Sequence, residues 1–102
     1  MIRMIQDNQK VIESLCRQFH VLKLEVFGSA VSDEFDETRS DVDFLVEFEA
    51  LEPAPLADCY FGLLAELERL FGRNVDLVTT RSLTNPYFLR AVNRTRRLLY
   101  AA

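Results

Sequence analysis

Apolar side chains recur with two periods along the chain, and the switches between them mark out its elements. Over residues 4–20, Ile5, Ile12, Leu15, Cys16 and Phe19 fall on one side of an amphipathic helix. Leu22, Leu24 and Val26 then alternate with Lys23 and Glu25, so Val21–Phe27 reads as a strand with one buried face. Residues 30–40 form a polar loop with room for one helical turn. Over 41–49 a second strand puts Val42, Phe44, Val46 and Phe48 on a core face and Asp41 and Asp43 on the other. The two prolines of residues 52–55 read as a linker. Leu56, Tyr60, Leu63, Leu64, Leu67 and Phe71 follow at helical spacing, with Tyr60 and Phe61 taken as core packing and Gly72 as the C′ stop. Residues 74–79 make a third strand, interrupted by Asp76. Asn85 caps a last helix that has Pro86 in its first turn and Leu89 and Val92 on its apolar face, before a short strand over 98–100. Strands separated by helices, with a βαβ-like second half, predict an α/β (α+β) fold with a small mixed β-sheet, built as one domain over residues 1–102.

Composition narrows the function classes. A chain of 102 residues, 49% apolar and 27% charged, suits an ordinary folded domain with one core. No apolar run approaches the ~20 residues of a membrane span, and residues 1–10 lack a signal-peptide core, which predicts a cytoplasmic protein without a membrane partner. The net charge of −4 argues against general nucleic-acid binding. That charge is unevenly spread: Asp33, Glu34, Asp36 and Glu37 make one loop acidic, and Arg81, Arg90, Arg94, Arg96 and Arg97 make the last quarter basic. The arginines read either as a solvated face or as a docking surface for an acidic partner or phosphate. Cys16 and Cys59 fall in apolar helical patterns and read as buried free thiols rather than a zinc site or disulfide. His20, the only histidine, closes a predicted helix where the dipole favours it, which argues against catalysis.

The candidate chemistry lies between residues 27 and 48. Asp41 and Asp43, two apart on a strand, share a face about 6.5 Å apart along the backbone. Two like charges so placed repel unless a cation lies between them. Oxygen-only ligands suit a hard ion, and Mg²⁺ is held by one or two carboxylates together with substrate phosphates. Gly28 permits a backbone conformation or close approach that a Cβ would block, and Ser29 adds a hydroxyl and an N–H at the entry to a short helix, where an anion is favoured. Asp76, inside an apolar run, needs a compensating group. Either pair alone is ordinary: Gly-Ser occurs in turns, Asp-x-Asp at solvated strand ends.

Gly28-Ser29, eleven residues, then Asp41-Val42-Asp43 followed by Phe44-Leu45-Val46 resembles the signature of the DNA polymerase beta-like nucleotidyltransferase superfamily. Within it the chain is similar to the minimal nucleotidyltransferases, the MntA-type antitoxins of HEPN/MNT toxin–antitoxin pairs. The likeness continues through Tyr60-Phe61-Gly62-Leu63-Leu64, Phe71-Gly72-Arg73, Val75-Asp76-Leu77-Val78, Asn85-Pro86-Tyr87-Phe88 and Leu99-Tyr100. It departs from the commonest pattern in a Ser29–Asp41 interval longer by one residue and in Ser32 at an often basic position.

The resemblance implies a polymerase beta-like nucleotidyltransferase core that transfers AMP from ATP to a hydroxyl with release of pyrophosphate. Asp41, Asp43 and Asp76 would hold Mg²⁺, two ions in this reading, with Asp76 the family's third carboxylate. Gly28 and Ser29 match the phosphate-binding pair, and Arg39 is an auxiliary phosphate contact. The implied acceptor is a tyrosine of a HEPN-type toxin, silenced in a type VII-like toxin–antitoxin system; a homo-oligomer is compatible with this. An antitoxin that neutralises by contact alone remains open, as does a nucleotidyltransferase acting on RNA or an antibiotic. A nucleotide-sugar glycosyltransferase would need a far larger domain. An EF-hand over residues 33–43 lacks its central Gly and terminal Glu.

Overall fold

The computed structural model describes residues 1–32 and 41–102. Among them run α1 (Arg3–Asp7), α2 (Gln9–Gln18), β1 (Val21–Phe27), β2 (Val42–Phe48), α3 (Pro53–Phe71), β3 (Val75–Thr79), α4 (Pro86–Thr95) and β4 (Arg97–Ala101), with 3-10 turns at Gly28–Ala30 and Thr80–Ser82. The strands form a mixed sheet in the order β3-β2-β1-β4. β1 is antiparallel to β2 and β4, while β2 and β3 are parallel. A parallel pair needs a crossover connection, and α3 supplies it.

Alternation along the strands sorts side chains onto two differently covered faces. On one, Leu24, Val26, Phe44, Val46 and Leu77 meet Ile5, Ile12 and Cys16 from α1 and α2 and Leu63, Leu67 and Phe71 from α3 in the main core. On the other, Phe27 and Leu45 pack with Val92 of α4, against half-buried Val78 and Leu83. Asp43 and Asp76 share the register of that second, thinly covered face.

Several sequence expectations are corrected. The helix over residues 4–20 breaks at Asn8 (φ −111°, ψ 17°), whose Nδ2 donates to the Met4 carbonyl oxygen at 2.8 Å, a local bond that competes with a continuous helix. Residues 53–55 are helix and not linker: Pro53 and Pro55 occupy the first turn, where N–H groups have no intrahelical acceptor, and the Leu56 N–H makes the bond to Glu52 at 2.9 Å. Leu22 is an extra residue where β1 slips against β2 between Val21 and Lys23, so it is 40% exposed; Glu25 keeps its predicted face, opposite Leu24 and Val26, and is buried there by its pairing with Arg96. Phe61 is 64% exposed rather than core, whereas Tyr60 donates its hydroxyl to the Leu77 carbonyl oxygen at 2.6 Å. Cys16 is buried and Cys59 half-buried. His20 lies past the helix with φ 58° and has Nδ1 3.3 Å from Glu49. The last strand spans five residues rather than three.

Gly62 lets α3 approach α2 closely: a Cβ there would lie 2.5 Å from Cε1 of Phe19. Gly62→Ala is therefore expected to destabilise the fold. The overpacking cost of about 1–3 kcal/mol exceeds the ~1 kcal/mol helix-propensity gain, leaving a net loss of about 1 kcal/mol measurable by urea unfolding.

Candidate active site

β1 ends at Phe27, and the chain turns at Gly28, whose φ of +76° is a region that L side chains rarely adopt. Phe27 is opposite Asp43 across the antiparallel pair, and Asp43 is level with Asp76 across the parallel one. The turn and two carboxylates thus meet on adjacent strands β1, β2 and β3. A Cβ on Gly28 would lie 2.7 Å from Oδ2 of Asp43, so the glycine backbone rests against that carboxylate. Ser29 follows, half-buried, in the 3-10 turn.

Asp43 is half-buried and hydrogen-bonded to the Asp76 carboxyl. Burial, then that bond, then the charges of Asp76 and Asp41 push its pKa up to about 7. Such a site binds a proton strongly because it lacks positive charge, and a hard cation would serve the same carboxylates better. Asp41 is exposed, one residue ahead of β2, and acts on Asp43 through space. Among the described residues no three carboxylate, imidazole or thiol side chains are gathered closely enough to hold a metal ion. The structure brings together Asp43, Asp76 and Gly28 and leaves Asp41 at their edge. Arg39, Asp33, Glu34, Asp36 and Glu37 lie outside the described residues.

The description "Nucleotidyltransferase domain" belongs to the family model that matches residues 9–99, a span containing every carboxylate of this site. The chain belongs to the nucleotidyltransferase family. Two candidate protein adenylyltransferases of Methanocaldococcus jannaschii are similar in sequence. One is 30% identical over 88 residues and the other 32% identical over 92, each alignment covering 86% of this chain and 83% of the relative. A candidate minimal nucleotidyltransferase of known structure shares 31% identity, with a TM-score of 0.65 over 91% of this chain and 90% of its own. The same fold occurs in a crystal structure of a toxin–antitoxin with AMP-PNP (TM-score 0.68, 23% identity, 93% of this chain and 74% of that one). It occurs again in the complex of a tri-AMPylated Shewanella oneidensis HEPN toxin with MNT antitoxin (TM-score 0.63, 22% identity, 95% and 72%).

This nucleotidyltransferase fastens its glycine turn from the far side of the sequence. The Gly28 N–H donates to Oγ1 of Thr95 at 2.8 Å. The next residue, Arg96, grips Glu25 through Nε to Oε2 at 2.8 Å and Nη2 to Oε1 at 2.6 Å. Sequence reading missed both contacts: it placed Glu25 on a polar strand face and Arg96 in a surface cluster. Gly28→Ala is expected to cut nucleotidyl transfer about a hundredfold while the protein stays folded, since the methyl displaces the Asp43 carboxylate and small misplacements at a reacting centre cost about that much. Initial rates of transfer, compared with circular dichroism melts of the same variant, test this.

Proposed function

We propose that the protein transfers AMP from ATP to a tyrosine hydroxyl of a HEPN-type toxin, in a Mg²⁺-dependent reaction, and so acts in the cytoplasm as the antitoxin of a type VII-like pair. The observation that carries this reading is the Asp43–Asp76 carboxylate pair resting against the Gly28 turn. Paired carboxylates repel unless positive charge joins them, and their all-oxygen donor set fits Mg²⁺. Bound Mg²⁺, two ions in this reading, would offset charge on the triphosphate and make the acceptor hydroxyl more acidic. Asp43 and Asp76 would hold it together with the exposed Asp41.

Ser29 and Arg39 contact the nucleotide phosphates in this reading, and Gly28, without a Cβ, gives the phosphates room to approach. The acceptor oxygen attacks the α-phosphorus in line, the new P–O bond forms as the bond to the bridging oxygen breaks, and pyrophosphate leaves. The hydroxyl proton passes to a carboxylate oxygen of Asp76, whose exposure lets it exchange with water. Similarity to candidate protein adenylyltransferases, and to folds seen with AMP-PNP and beside an AMPylated HEPN toxin, supports the adenylyl donor and the protein acceptor.

The test is incubation of this chain and a HEPN-type partner with α-labelled ATP and Mg²⁺. Label is expected on the partner, and its loss is expected in Asp41→Ala/Asp43→Ala. Label equal in both preparations would sink the enzymatic reading. A double variant that still neutralises the toxin would instead assign inhibition to contact alone.

A further inference from the structure

Two residues, Thr95 and Arg96, tie the end of α4 to the end of β1 and the turn after it. Arg96 holds Glu25, and Thr95, the last residue of the helix, accepts the Gly28 N–H, an interaction 67 residues apart in sequence. Between these ties the Phe88 ring meets that of Phe27 edge-on, with centroids 6.0 Å apart, and Val92 is fully buried against Phe27 and Leu45. Phe88, Val92 and Thr95, spaced four and three apart, form the stripe of α4 turned toward the sheet. Only its final member is polar, and that member meets the backbone of the glycine resting on Asp43.

We propose that Thr95 is a positioning residue for the active-site turn, setting the Gly28 peptide so that Asp43 and the nucleotide phosphates keep their places; this rests on the nucleotidyltransferase reading above. A left-handed glycine has broad conformational freedom, and nothing in its own side chain limits it. The Thr95 hydroxyl supplies the missing restraint. It accepts the Gly28 N–H, which would otherwise be an unsatisfied donor in a half-buried corner. With that N–H engaged, Gly28 serves the site through its shape and its contact with Asp43, not as a hydrogen-bond donor to phosphate. Valine keeps the volume of threonine but removes the acceptor, and serine restores it.

The test compares wild type, Thr95→Val and Thr95→Ser in the full chain by two measurements. Amide hydrogen exchange at Gly28 is expected to quicken at least tenfold in Thr95→Val and to return toward wild type in Thr95→Ser. The dissociation constant for ATP with Mg²⁺, from titration calorimetry, is expected to rise about tenfold in the valine variant and to recover with serine. A melting point lowered in both variants with exchange and ATP affinity unchanged would overturn the proposal as a merely structural contact. So would quickened exchange with unchanged ATP affinity. A wild type that binds no ATP overturns the nucleotide reading together with Thr95's role toward phosphate, and the exchange comparison then decides the tether to Gly28 by itself.

Discussion

Asp43→Asn is expected to lower nucleotidyl transfer about a thousandfold and, in the same protein, to raise the melting temperature measured without divalent metal. The first effect follows from removing the carboxylate that the fold places most centrally, level with Asp76 and against Gly28. Charge stabilisation by a bound cation contributes several kcal/mol to such a transition state, and about 4 kcal/mol corresponds to a factor near a thousand. The second effect has the opposite sign because burial disfavours the ionised Asp43 carboxylate and the nearby Asp76 and Asp41 repel it. Asp43 holds its proton up to about pH 7 in the folded protein, against an ordinary aspartate value near 4 when unfolded. Between those limits the folded state binds more protons, so metal-free stability falls as pH rises from about 4 to about 7 and stays low above it. Asparagine removes that slope and with it the cost of a half-buried, crowded charge, about 1 kcal/mol after solvent screening, or about 5 °C in a chain of this size. Mg²⁺ should restore the wild type and leave the variant nearly unchanged. Thermal melts at pH 5 and pH 8, with and without Mg²⁺, check all of this. A wild type whose melting point is indifferent to both would remove the charge-crowded centre from the account.

Glu25→Ala should be strongly destabilising although it lies outside the main core. Glu25 is 7% exposed, and its carboxylate takes two guanidinium bonds from Arg96 and lies 3.5 Å from Lys23 Nζ. Breaking a buried pair costs about 3–5 kcal/mol, and the partial exposure of Arg96 lowers that here to about 2–3 kcal/mol. The melting temperature then falls by about 10–20 °C. The hydrogen bond from Arg96 holds the Glu25 carboxyl below its ordinary value, outweighing the opposing effect of burial. That stabilisation is complete above the unfolded value near 4.5 and is lost as pH falls through the lower folded value, so the wild type should lose more stability in acid than Glu25→Ala does. Arg96→Ala should be at least as harmful, because it leaves the buried carboxylate with only Lys23 nearby. Urea unfolding at pH 7 and pH 3.5 measures both. Equal stability of Glu25→Ala and wild type at pH 7 would reduce the pair to a surface contact.

Much of this was legible in the chain because periodicity is local. Alternation from Val42 to Phe48 put Asp43 on the face opposite the core, and the Val-Asp-Leu-Val run marked Asp76 as a carboxylate needing a partner. Gly28 at the end of an apolar strand announced a turn that side chains would not tolerate, and Asn85-Pro86 announced the start of the last helix. The misreadings also have local causes. Two prolines look like a linker whether they break a helix or begin one, and only the Leu56 bond to Glu52 decides between them. Leu22 left its expected core face because a one-residue slip against β2 is set by the pairing of strands, and Glu25 is buried because Arg96 reaches it from the end of α4.

From the residues alone came the elements, the face each carboxylate occupies, and the types of group available for phosphate and metal chemistry. Which of those groups touch was settled only by folding: Asp43 beside Asp76 by the register of two parallel strands, Gly28 beside Asp43 by the antiparallel pairing of β1 with β2, and Thr95 and Arg96 on β1 by the docking of α4. Side-chain spacing along one strand or helix repeats every two or 3.6 residues and is written into any short window of sequence. Contacts between residues 67 or 71 positions apart depend on how whole elements pack, which no short window contains.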